Sequence, residues 1–155
     1  MNLTKITKNL FKLSKQEIQT PPMKLLFQPA TQYNNIILKL EFTNIKENTL
    51  LQKMLQTIKD LELTIWNQLK KQNNLLTLSS QVIQNKQFDP YLITKWISKK
   101  TKFNSQSQIH SLELNNILEI PKNTMLQLNC FCDSAWITNT NKLILKWKVK
   151  DVYFC

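Results

Sequence analysis

Apolar and polar residues alternate along much of the chain, and this period of two predicts a protein built mainly from β-strands. The clearest strand runs from residue 125 to residue 137, and the polar residues 138–141 then supply a turn. Residues 143–154 form the second arm of the resulting hairpin. Further strands are predicted at residues 23–27, 36–42, 91–98 and 109–120.

A single long helix interrupts the strands. Apolar residues recur at three- and four-residue steps from Leu51 to Leu69, which is the spacing of a helix that packs one face on a core. Thr49 and Gln52 have the spacing of a capping box at its start. Residues 75–90 are ambiguous, and a second short helix is one interpretation of them. The order of strands, helix and strands predicts an α+β domain, an antiparallel β-barrel or curled sheet with the helix packed on it.

The N-terminal segment is predicted to be separate from this domain. Residues 1–22 are interpreted as a basic amphipathic arm, and residues 23–155 as the domain itself. In the arm, Leu3, Ile6, Leu10 and Leu13 recur at helical spacing with lysines between them. Pro21-Pro22 would end any helix there. A transit peptide, a partner-binding arm and a nucleic-acid-binding arm all fit this pattern.

The composition of the chain mainly excludes classes of function. The 155 residues and 42% hydrophobic content fit one domain with a core, and no apolar run approaches the ~20 residues of a membrane span. The chain has no Gly, which excludes the common phosphate-binding loops and nucleophile elbows. Ten scattered carboxylates, three Cys and one His form no catalytic or metal-binding pattern. We therefore expect no enzymatic activity, metal or cofactor, and a reducing compartment, cytoplasmic with mitochondrial as the alternative.

The net charge of the chain indicates a class of binding partner. The net charge is +11, every basic residue is Lys, and the excess is spread over several segments, so the domain as a whole attracts polyanions. Two segments interleave lysines with aromatic residues, the mixture that single-stranded nucleic acid needs for its phosphates and exposed bases. The candidate binding residues are Lys95, Trp96, Lys99, Lys100, Lys102, Trp136, Lys142, Lys146, Lys148 and Lys150.

The period of two assigns faces to some of these residues. In residues 143–154, Trp147 shares a face with apolar residues and is predicted to lie in the core. Lys142, Lys146, Lys148 and Lys150 share the opposite face, where they line a groove or point to solvent. The pattern leaves open whether Trp96 and Trp136 stack on bases or pack in the core.

The C-terminal third also resembles a known family. Ile120-Pro121-Lys122, Ser134-Ala135-Trp136-Ile137 and the stretch from Leu145 to Lys150 are similar to the C-terminal motif of small basic proteins of nucleocytoplasmic large DNA viruses. Those proteins are related to single-stranded-DNA-binding proteins. The single-strand-binding protein of yeast cytoplasmic linear killer plasmids is a further candidate, since such A+T-rich genomes suit the lysine- and asparagine-rich composition.

The resemblance implies a single-stranded-DNA-binding protein with an oligonucleotide-binding (OB-like) barrel, coating displaced strands during replication. Single-stranded DNA, copies of itself and a replicative polymerase are the expected partners. The usual OB barrel places its helix between the third and fourth strands, whereas only two strands are predicted before this helix. Two alternatives stay open: a structural subunit of a mitochondrial ribosome or telomere-capping complex, and a protein that binds anionic membranes through residues 1–15.

Overall fold

The computed structural model describes residues 2–33, 35–97, 107–110 and 116–155, which form strands, one long helix and one short 3₁₀ helix. The first strands are β1 (Leu3–Lys5), β2 (Leu10–Gln19), β3 (Met23–Leu25), β4 (Ala30–Gln32) and β5 (Asn35–Glu41). The helix α1 (Thr49–Lys70) follows. The later strands are β6 (Thr77–Leu78), β7 (Val82–Asn85), β8 (Phe88–Trp96), β9 (Gln108–His110), β10 (Met125–Ile137), β11 (Lys142–Leu145) and β12 (Lys148–Phe154).

Five of these strands close a barrel. β3 pairs with β5, β5 with β8, β8 with β12 and β12 with β10, and β10 returns to β3. The pair β8–β12 is parallel and the others are antiparallel. The side chains that point inward are apolar and nearly solvent-free, as in Leu38, Leu126 and Val149. The barrel and its single long helix confirm the predicted α+β, OB-like fold class.

The helix α1 lies between the second and third barrel strands, where the sequence places it. Its buried face, including Leu51, Ile58 and Ile65, packs on the barrel core. The cap is one residue earlier than the capping box predicted, because the side chain of Asn48 accepts a hydrogen bond from the Leu51 backbone N–H at 3.1 Å. In the described part of the chain, no helix is long and apolar enough to cross a bilayer.

The helix predicted within residues 1–22 is wrong, because this segment forms the strands β1 and β2. β2 pairs with β10 from Leu10 opposite Trp136 to Gln19 opposite Asn129. Phe11 alternates with its neighbours to face the shared core, and so does Leu13. Pro21-Pro22 marks the break between β2 and β3, but both strands pair with β10 on either side of that break.

The second helix considered for residues 75–90 is also absent: this stretch contains β6 and β7, and β8 begins at Phe88. The strand predicted at 109–120 is only partly confirmed. β9 covers Gln108–His110, a 3₁₀ helix covers Ile117–Glu119, and residues 111–115 lie outside the described part.

The C-terminal hairpin agrees with its prediction. β10 spans residues 125–137, and the turn closes where Asn141 adopts a φ of 59° and donates its N–H to the Thr138 carbonyl. Trp147 is buried as predicted. The second arm is not one continuous strand, because residues 146–147 separate β11 from β12.

Candidate nucleic-acid interface

A groove of about 300 Å³ on the outer wall of the barrel gathers lysines from three parts of the chain. We call it the lysine groove. Its lining residues come from the β1–β2 segment, from β8, from β10 and from the junction of β11 with β12; they are Ile6, Leu10, Phe11, Lys12, Lys95, Asp133, Ser134, Lys146 and Lys148. Three of the lining residues are apolar and four are lysines, so the groove combines apolar surface with positive charge.

Barrel closure brings these lysines together. The parallel pairing of β8 with β12 places Lys95 directly beside Lys148. Lys146 faces the same way as Lys148 because the intervening Trp147 points into the core. β2, on the far side of β10, contributes Lys12. The sequence alone could not show that Lys95 and Lys148 are neighbours, since 52 intervening residues separate them.

The groove is short of compensating negative charge. Partial burial lowers the pKa of Lys95, and the nearby Lys146 and Lys148 ammonium groups lower it further. Burial, followed by Lys148, likewise lowers the pKa of Lys146. Among the described lining residues, Asp133 is the one carboxylate, and its Oδ1 lies 2.9 Å from the Lys148 Nζ. A bound phosphate would relieve the repulsion among these ammonium groups.

These pKa shifts predict that DNA affinity and protein stability change in opposite directions as the pH rises. Affinity for an oligonucleotide should fall as the pH rises toward the ordinary lysine pKa of about 10.4, because Lys95 and Lys146 lose their protons before an unperturbed lysine does. Stability should rise over the same range, because the unfolded chain, with its higher lysine pKa, binds more protons than the folded one. Fluorescence polarisation and thermal melts across pH measure both trends. A Lys95→Gln, Lys146→Gln variant should flatten each, and equal slopes in variant and wild type would contradict the prediction.

Trp136 lies at the edge of this groove. Its side chain is 36% exposed at the end of β10, and the Lys146 Nζ sits 5.5 Å from the centre of its ring. An exposed ring beside a cation is suited to stack on a base while the lysine holds the adjoining phosphate. Trp96 differs, because it is half-buried against the core, opposite Ile36 on one side and Val149 on the other.

The other predicted lysines lie elsewhere. Lys150 lines a separate recess with Glu17, whose pKa is lowered first by Lys15 and then by Lys150. Lys142 is exposed at the start of β11, opposite Thr77. Lys99, Lys100 and Lys102 fall outside the described residues.

A second cluster, which sequence reasoning missed, lies on the outer face of β5 and β8. The Lys39 Nζ is 5.5 Å from the ring centre of Phe27 and 5.8 Å from that of Tyr91. The Phe27 side chain is 53% exposed. Tyr91 and Lys95 lie on the same face of β8, four residues or about 13 Å apart, so this cluster and the lysine groove share one wall of the barrel. The outward position of Lys39 in an alternating strand was the one available signal.

Another aromatic ring on this wall is covered by lysines. Phe131 pairs with Lys148 of β12 on one side and with Glu17 of β2 on the other. The Lys15 Nζ lies 4.7 Å from its ring centre and the Lys148 Nζ 5.9 Å, and the ring is only 4% exposed. A continuous row therefore runs across β8, β12 and β10 from Lys95 to Phe131.

The described residues show no candidate metal site, and two of the three cysteines are buried. No group of three or more His, Cys, Asp and Glu side chains in the described ranges is placed to hold a metal ion. Cys130 and Cys132 are buried, and burial raises the pKa of each thiol to about 12. Such thiols stay protonated at neutral pH and are poor nucleophiles and metal ligands.

The structure is similar over most of its length to that of gp2.5, a single-stranded DNA-binding protein encoded by bacteriophage T7. The TM-score is 0.61, and the match covers 91% of this chain and 86% of that one. Sequence identity over the match is 10%, so the likeness shows a shared fold. No family model and no curated protein matches the sequence.

Proposed function

We propose that this protein binds single-stranded DNA without sequence preference. The observation that carries the proposal is one outer wall of an OB-like barrel on which clustered, undercompensated lysines lie between exposed aromatic rings. The fold shared with gp2.5, a single-stranded DNA-binding protein, supports it. OB barrels bind oligonucleotides on the face formed by their second and third strands, which here are β5 and β8.

The geometry suggests how a strand would lie. Phosphates would contact Lys95, Lys146 and Lys148, and a base would stack on Trp136 at the edge of the lysine groove. Further along β8, Phe27 and Tyr91 would receive other bases, with Lys39 between them to hold a phosphate. Lysine ammonium groups and flat rings act on any base, so this surface favours coating a strand over recognising a sequence.

The biological setting follows the sequence resemblance and is part of the proposal. Coating strands displaced during replication, in a linear plasmid or virus-like system, suits a basic, lysine-rich protein of this kind. Copies of the protein and a replicative polymerase are the proposed partners, in the cytoplasm. Self-association would appear as cooperative binding to long oligonucleotides in sedimentation experiments.

Strand selectivity tests the central proposal. Because duplex DNA offers no free base faces, we expect at least about tenfold preference for oligo-dT over a duplex of equal length. Trp136→Ala should weaken oligo-dT binding by about 1–3 kcal/mol and leave duplex binding unchanged. Fluorescence polarisation measures both affinities.

The matched control is Phe88→Ala, which removes another exposed ring, at the far end of β8 from the lysine groove. We expect it to bind oligo-dT like the wild type. Equal wild-type affinity for single and double strands would reduce the protein to a general polyanion binder. A loss of melting temperature in place of affinity would make Trp136 a packing residue.

A further inference from the structure

Four described residues adopt a positive φ, in a chain that contains no Gly to occupy such positions. Three of them are Asn44, Asn123 and Asn141, with φ of 52°, 70° and 59°. Asn is the residue that best tolerates this left-handed region after Gly. The fourth is Tyr33, with a φ of 49°. Tyr33 is thus the one residue among these four that is not Asn.

A bulky residue in this region is strained, and packing does not explain the strain at Tyr33. Its side chain is 89% exposed, so the ring contributes little to the core. Strain of this kind persists where the surrounding structure enforces it, and it is concentrated at functional sites. Because Asn occupies the other three positions, the aromatic ring at the fourth indicates a role in function and not in folding.

The position of Tyr33 places it near the proposed DNA path. It occupies the tip of the β4–β5 hairpin, between the paired residues Gln32 and Asn35. The first residues of β5 lie opposite the end of β8 that carries the groove lysine, with Ile37 facing Lys95. Tyr33 is four residues before Ile37, so the hairpin tip projects from the same end of the β5–β8 wall as Lys95.

We propose that Tyr33 stacks on a nucleobase of single-stranded DNA where the strand leaves the lysine groove at this end of the wall. The inference rests on the proposed function and adds a contact to it. A flat, exposed ring at the same end of the wall as Lys95 can stack on a base whose phosphate is held in the lysine groove.

The test uses substitutions for which stability and affinity should change in opposite directions. Tyr33→Gly and Tyr33→Asn remove the ring and replace it with residues that accept a positive φ. Both should melt at the same temperature as the wild type or higher, yet bind oligo-dT about 5- to 150-fold more weakly. Tyr33→Phe keeps the ring and should bind within about twofold of the wild type. Thermal melts and fluorescence polarisation supply the two readouts.

Asn123→Gly is the control, because it also puts Gly at a positive φ but removes no ring. It should leave oligo-dT affinity unchanged. If the wild type binds oligo-dT and Tyr33→Gly binds equally well, Tyr33 is no DNA contact and the inference is wrong, while the proposed function stands. If the wild type itself ignores oligo-dT, the proposed function fails first. A Tyr33→Gly protein that loses both affinity and melting temperature would assign the ring a structural role and overturn the inference.

Discussion

A chain that begins at residue 22 is expected to remain unfolded. The truncation removes β2, which pairs with β10 over most of its length and supplies Phe11 and Leu13 to the core. Loss of two buried side chains of this size costs about 2–5 kcal/mol each, against a total stability of about 5–15 kcal/mol for a typical domain. It also leaves one side of β10 without its backbone partners. Circular dichroism and thermal melts of the truncated protein would measure the effect.

A pair of point substitutions in the same segment makes this prediction sharper. Leu13→Ala, at a side chain that is 2% exposed, should lower the free energy of unfolding by about 2–5 kcal/mol. Ile6→Ala, at a side chain that is 55% exposed, should change it by less than about 0.5 kcal/mol. Similar small losses in both variants, with a folded truncation, would support the sequence interpretation of an independent arm.

The contrast between β10 and β2 shows what local patterning can and cannot predict. In residues 125–137 the alternation is regular and a polar turn follows, so both bounds of the strand could be read directly. In residues 3–13 the apolar residues also recur at three- and four-residue steps, which favours a helix locally. The pairing with β10, more than 100 residues away, selects a strand instead. A local pattern carries no information about that partner.

The candidate site, too, could be predicted only in part from local sequence patterns. The stripe of Lys146, Lys148 and Lys150 was visible as a period of two, but the register of β10 and β12 shifts beside Asn129, and Lys150 lines a separate recess with Glu17. Lys95 joins Lys146 and Lys148 instead, through the parallel pair that closes the barrel. The residues of the Phe27–Lys39–Tyr91 cluster come from three separate segments, so no single stretch of sequence predicts that they lie together. The residue types could be predicted, whereas their grouping depends on barrel closure.

Replacing Lys95, Lys146 and Lys148 by Gln is expected to give the largest loss of DNA binding. If each of the three ammonium groups contacts one phosphate, the wild type releases condensed counterions at each contact. The plot of log affinity against log salt should then become shallower by about 2, since each contact on a single strand contributes about 0.7. A difference of about 2 between the slopes means that the wild-type affinity falls about 100-fold more than the variant's between 0.1 M and 1 M salt. Because Lys148 also pairs with the largely buried Asp133, thermal melts of the variant accompany the binding measurement, and the affinities are compared at a temperature where both proteins are folded.

The matched control replaces Lys53, Lys71 and Lys122, which are exposed and lie outside the lysine groove. It lowers the net charge by the same three units, so it separates local contact from overall attraction. Its salt dependence should match that of the wild type, because none of the three side chains lies on the proposed path. Salt titrations of oligo-dT binding by fluorescence polarisation compare the three proteins. If both triple variants shift the slope equally, the DNA is held by the charge of the whole domain and the lysine groove is not its path.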